Sequence, residues 1–181
     1  MGLEVKKTGF EGLVEIQPDV YRDSRGFFFE SFNDEAFKAA GLDVRFVQDN
    51  QSFSKKGVIR GLHFQREPYA QGKLVRVIVG KALDVAVDIR KGSATFGRVF
   101  SIILDGEKNN MLYVPPGFAH GFSALEDTVF FYKCTNHYHK ESEGGIRWDD
   151  PDLNIDWMTR DPEVSEKDSR LMTFEEFKKA L

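Results

Sequence analysis

The chain has 181 residues, 41% hydrophobic and 30% charged, with a formal net charge of −4. That length suits a single domain over residues 1–181 with a proper core, and the scattered basic residues give no electrostatic reason to expect nucleic acid. The single Cys134 excludes an intramolecular disulfide, no apolar window reaches membrane-spanning length and the N-terminus lacks a signal-like apolar run, so a cytoplasmic protein with no membrane partner is expected.

Seventeen phenylalanines favour a sheet-built core and aromatic-lined pockets. Leu13 to Pro18 reads as a strand closed by proline. Asp23-Ser24-Arg25-Gly26 then turns into Phe27-Phe28-Phe29-Glu30. The triple phenylalanine reads first as a buried strand with solvated ends; its functional alternative is an aromatic wall with Arg25 and Glu30 placed at a ligand. Asn33 or Asp34 caps a short connector helix that Gly41 ends. The run from Val44 starts as a strand and then turns wholly polar through Gln48, Asp49 and Asn50, which form either an exposed turn or a set of hydrogen-bonding groups for a polar ligand.

Two β-rich runs dominate the middle of the chain, Val58–Gln65 and Lys73–Val79. Both carry cations or an imidazole where a buried strand normally carries hydrocarbon, a pattern suited to holding an anion. Strict alternation puts His63 and Gln65 on one face with Ile59 and leaves Arg60 on the other. If Arg60 and His63 serve one site the strand must bend, and Gly61 is where a bulge costs least. Leu83–Ile89 alternates cleanly, with Asp84 and Asp88 on one face, where pairing with neighbouring cations is the simplest reading. Further strands follow at Phe96–Leu104, Asn110–Val114, from Phe118 and at Thr128–Thr135. Apart from the connector, only the tail is helical, opening at Ser165 and again near Thr173. The spacing predicts an all-β antiparallel barrel or sandwich.

Pro115, Gly117 and His120 stand in the order Pro-x-Gly-x-x-His, which resembles the second motif of the cupin superfamily of jelly-roll barrels. Where the first cupin motif offers metal ligands, this chain has His63-Phe64-Gln65. An amide is a poor transition-metal ligand and the nearby Lys73 repels a dication, so no metal is expected. His137 and His139 read as surface residues.

The blocks Asp23–Glu30, Gln48–Asn50, Arg60–Gln65, Gln71–Arg76, Asp84–Arg90, Gly117–Phe122, Glu141–Ile146 and Ser165–Asp168 together resemble the dTDP-4-dehydrorhamnose 3,5-epimerase family, in colinear order from about residue 10 to 170. The resemblance implies a cupin-type jelly roll with short peripheral helices, mainly C-terminal. It implies His63 as general base oriented by Asp168, Tyr132 as the acid on the opposite face, and Lys73 at the enolate oxygen. Arg60 and His120 are implied at the diphosphate and sugar, and Arg25, Glu30, Gln48, Asp49, Asn50, Tyr138, Glu143 and Lys167 at the nucleotide-sugar substrate. Family members are homodimers, so part of the N-terminal set is expected to serve the partner's pocket. The residue types agree with this chemistry independently: removing a proton beside a ketone needs a base, a positive charge at the developing oxyanion and an acid on the other face. No nicotinamide, flavin or other cofactor is required, and no glycine-rich phosphate loop is present to hold one.

Overall fold

A computed structural model describes residues 2–181. Two six-stranded sheets face one another. The first runs in the order β1 (Leu3–Lys7), β2 (Val14–Pro18), β10 (Met111–Val114), β7 (Lys73–Val79), β12 (Thr128–Cys134) and β5 (Gln48–Ser54). The second runs β13 (Glu143–Gly145), β6 (Val58–Gln65), β11 (Phe118–Ala124), β8 (Lys81–Asp88) and β9 (Val99–Asp105), with β14 (Glu163–Val164) added in parallel to β6. Every other pairing between these strands is antiparallel, as the spacing of turn residues predicts, and the two facing sheets make the jelly-roll barrel that the family resemblance implied.

Alternation sorts the core into three layers. Val75, Val77, Ala82, Ala86, Phe118, Phe122 and Phe130 pack between the sheets. Phe122 and Phe130 stack across the gap, with centroids 4.1 Å apart and planes 4° from parallel. On the back of the second sheet, Leu83, Val85 and Val87 meet Trp157, Phe174 and Phe177. The last two lie on α3 (Phe174–Lys179), which Thr173 and Glu176 start with a reciprocal capping box. On the back of the first sheet, Leu74, Met111 and Ile16 meet Phe37 of α1 (Asp34–Ala39), capped by Asn33.

Three local expectations are corrected. The run Val44–Val47 is not a strand. The polar half beyond it is: Gln48–Ser54 makes β5, paired along its length with β12. The tertiary ladder overrides the weak β propensity of its amides. The triple phenylalanine is not buried either. Phe27 and Phe28 belong to a small hairpin of β3 (Tyr21–Asp23) and β4 (Gly26–Phe28) and are 52% and 61% exposed. Finally, His139 is half-buried rather than a free surface residue, its ring stacked on Tyr69 at 3.7 Å; His137 is exposed, as expected.

Candidate active site

The site begins with a flaw in β6. His120 of β11 pairs with His63, yet Phe122 pairs with Arg60, so β6 carries one residue more than its partner between these points. Gly61 occupies the bulge with φ +136°, and a Cβ there would come within 2.6 Å of Gly121 Cα. Only glycine fits such a conformation and approach. The bulge breaks strict alternation: Ile59, Leu62 and Phe64 all join the helix-covered layer. Ile59 therefore lies opposite His63 and Gln65, not beside them.

β14 runs alongside Val58 and Ile59 and leads directly into the short helix α2 (Glu166–Ser169), whose Ser165 hydroxyl accepts from the Asp168 amide at 3.1 Å. This delivers Asp168, 4% exposed, onto the bulge. One carboxylate oxygen accepts from the Gly61 amide at 3.2 Å and the other lies 2.8 Å from His63 Nε2. Burial alone would push this carboxyl up, but the His63 hydrogen bond and charge, the Gly61 amide and Ser165 outweigh it, and its pKa is lowered. An ionised carboxylate can only accept, so Nε2 donates to it and Nδ1 is the ring nitrogen left free of the carboxylate.

A cavity of about 300 Å³ opens in front of His63, lined also by Gln48, Asn50, Gln65, Lys73, Tyr132, Tyr138 and Glu143. His63 comes from the second sheet; Lys73, Tyr132, Gln48 and Asn50 come from the first, so imidazole and phenol belong to opposite walls. Tyr132 stands beside Asn50 and Val75 in the ladder. Burial pushes its phenol above the ordinary tyrosine value, with the Arg60 charge opposing, so it is protonated at neutral pH. Burial lowers the Lys73 ammonium, although the residue keeps partial solvent access through the cavity. At the rim, Glu143 accepts from Tyr138 Oη at 3.0 Å and from Lys167 Nζ at 2.7 Å through each oxygen.

Other expected site residues lie outside the lining. Arg60 is exposed and anchored to Ser54 Oγ at 3.0 Å and Phe53 O at 3.2 Å. His120 is buried behind the wall, paired with Asp84. Asp49 faces away from Gln48 and Asn50 and pairs with Lys133 at 2.9 Å, so the three do not act as one set within a protomer. Arg25 lies on the hairpin, bound to Asp23, and Glu30 accepts from Asn33; neither reaches this cavity in its own chain. The cupin metal set does not assemble. Gln65 spends its amide on Tyr69 O, His137 O and the His139 amide, and His63 and His120 are each taken by a carboxylate. No cluster of three His, Cys, Asp or Glu side chains among the described residues is spaced to hold a metal ion. Asp84 is the site-adjacent residue not singled out from sequence beyond a general pairing role; its signal was its inward place among the alternating residues of β8.

The fold is a jelly roll of the cupin class, with a carboxylate-bound imidazole on one wall of a cavity and a phenol and an amine on the other. The model of the dTDP-4-dehydrorhamnose 3,5-epimerase family matches residues 7–176, and the chain belongs to that family. It is 54% identical over 166 residues to the dTDP-4-dehydrorhamnose 3,5-epimerase of Methanothermobacter thermautotrophicus, covering 90% of this chain and 89% of the relative. The Legionella pneumophila epimerase RmlC, solved with dTDP-4-keto-L-rhamnose, superposes with a TM-score of 0.91 at 46% identity over 96% of this chain and 93% of that one. ChmJ of Streptomyces bikiniensis, a 3'-monoepimerase solved with dTDP-quinovose, gives 0.89 at 33% identity, covering 94% and 88%.

Proposed function

We propose that this chain, as one epimerase domain, inverts C3 and C5 of dTDP-4-dehydro-6-deoxy-D-glucose to give dTDP-4-dehydro-L-rhamnose. The observation that carries the reading is the shared cavity, with His63 on one wall and Tyr132 and Lys73 on the other. His63 Nδ1 takes the proton beside the C4 ketone, and the resulting imidazolium is favoured by Asp168. Lys73 supplies positive charge to the enolate oxygen, where it strengthens as charge develops. Tyr132 returns a proton to the opposite face, so the centre inverts. Arg60 serves the diphosphate, the arginine fork suiting phosphate oxygens, whereas His120, implied beside it by the resemblance, is buried behind the wall and paired with Asp84. Gln48, Asn50, Tyr138, Glu143 and Lys167 hold the remaining substrate from the cavity and its rim.

The active species in this reading is a homodimer. Phe27 and Phe28 stand exposed on the hairpin that bears Arg25, and Val129 of β12 lies in the ladder between Phe53 and Val79, which are 58% and 57% exposed. On the same back face Arg76 packs against Phe29 and Phe131, with its buried Nε lacking a hydrogen-bond partner among the described residues. A second copy covering this face would bring the hairpin, with Arg25 and Glu30, toward the partner's nucleotide. No described helix is long and apolar enough to cross a membrane.

Turnover in heavy water tests the reaction: deuterium is expected at both C3 and C5 of the product. The likeness to a 3'-monoepimerase supports the rival of inversion at a single centre, which label at one carbon alone would establish. No label at either carbon would overturn catalysis altogether.

A further inference from the structure

Between β12 and β13 the chain passes along the rim of the cavity without a ladder. No backbone group of Asn136, His137 or Tyr138 bonds to another backbone group among the described residues. Three glutamine side chains that line the cavity take over this task. Gln71 Nε2 donates to Asn136 O at 2.8 Å, and Gln48 Oε1 accepts from the Tyr138 amide at 2.9 Å. Gln65 grips both sides of Tyr138: its Nε2 donates to His137 O at 3.2 Å and its Oε1 accepts from the His139 amide at 2.7 Å. The same Nε2 donates to Tyr69 O at 2.6 Å, and the Tyr69 ring stacks on that of His139.

Gln65 is 9% exposed, and a buried amide is tolerated only where its bonds are made. Its orientation follows from its partners: two carbonyl oxygens require the NH₂, and the His139 N–H requires the oxygen. A carboxylate would turn lone pairs on both carbonyls, and hydrocarbon of the same length would leave all three groups without this partner. Gln65 lies on the second sheet and Gln48 on the first, so together they tie the backbone around Tyr138 to both walls. The Tyr138 hydroxyl in turn donates to Glu143, which stands beside Gln65 in the β6–β13 ladder. We propose that Gln65 is a positioning residue of this site: it clamps the backbone on either side of Tyr138 and so fixes that ring at the rim where substrate is held. The inference rests on the proposed function only for the use made of Tyr138; the clamp itself is measurable without turnover.

Gln65→Met keeps length and removes all three bonds. KM is expected to rise on the order of tenfold while kcat falls by less than about threefold, since Gln65 makes no hydrogen bond to His63 or Asp168. A residue that merely supported β6 beneath His63 would lower kcat instead. Unchanged KM in a folded Gln65→Met enzyme, or a loss confined to kcat, therefore overturns the proposal. In a Tyr138→Ala background the same substitution is expected to change KM by less than about twofold, because a residue that acts through Tyr138 has nothing left to place; effects that multiply overturn the proposal equally. Should Gln65→Met fail to fold, amide hydrogen exchange in the unaltered enzyme decides. The Tyr138 and His139 amides are expected to exchange at least about 100-fold more slowly than in free peptide, and exchange at the free-peptide rate overturns the clamp. Absence of turnover in the unaltered enzyme would overturn the epimerase reading and leave the exchange readout intact.

Discussion

Asp168→Asn is the most discriminating substitution, because the amide cannot replace the carboxylate in either orientation. With its oxygen toward His63, its NH₂ faces the Gly61 amide, donor against donor; reversed, its NH₂ meets Nε2 and drives the ring proton onto Nδ1, the nitrogen needed as base. The carboxylate is 4% exposed and 2.8 Å from Nε2, so the lost bond is charge-assisted and worth about 1.5–3 kcal/mol, or roughly 10- to 150-fold in rate. The tautomer conflict adds to this, and kcat is expected to fall by at least about 100-fold. Asp168 does not line the cavity, so KM should change by less than about threefold. Steady-state kinetics on the purified variant, with circular dichroism and thermal unfolding to establish folding, gives both numbers. A folded Asp168→Asn enzyme with near-normal kcat, or one whose loss is confined to KM, would refute the assignment of His63 Nδ1 as the base.

Two further outcomes are expected. Phe27→Ser with Phe28→Ser removes the exposed hairpin aromatics, each worth about 1.5–3 kcal/mol if covered by a second copy, so the proposed dimer, followed by sedimentation velocity, should weaken by at least about 100-fold; an association unaltered by the substitutions would contradict the assigned face. Asp168, Asp88 and Glu143 have lowered folded-state pKa values, so they bind fewer protons folded than unfolded near pH 4. Their contribution is full above the ordinary carboxylate range and is lost as pH falls through the lowered values, so the urea midpoint should drop between pH 7 and pH 3; a midpoint that holds or rises would show these pairs contribute nothing.

The chemistry was legible where a polar residue interrupts a buried strand. His63 and Lys73 stand out because hydrocarbon belongs at such positions, whereas Tyr132 came only with the family resemblance, and Gly61 marked the one place where β6 could bend to bring Arg60 round. What stayed hidden depended on partners remote in sequence. Phe27–Phe29 read as core because a phenylalanine run carries no sign of which molecule will bury it. Gln48–Ser54 read ambiguously because its amides disfavour a strand until β12 supplies the ladder. The Asp84–His120 pair joins residues 36 apart, and alternation could face Asp84 inward without naming its partner.

The central claim is that one imidazole removes the proton and a phenol on the opposite wall returns it. Deuterium in the substrate recovered from heavy water, compared between His63→Asn and Tyr132→Phe, tests this most directly. The account requires no exchange in the first variant, and exchange without inversion at one or both carbons in the second. Normal exchange in His63→Asn would contradict it.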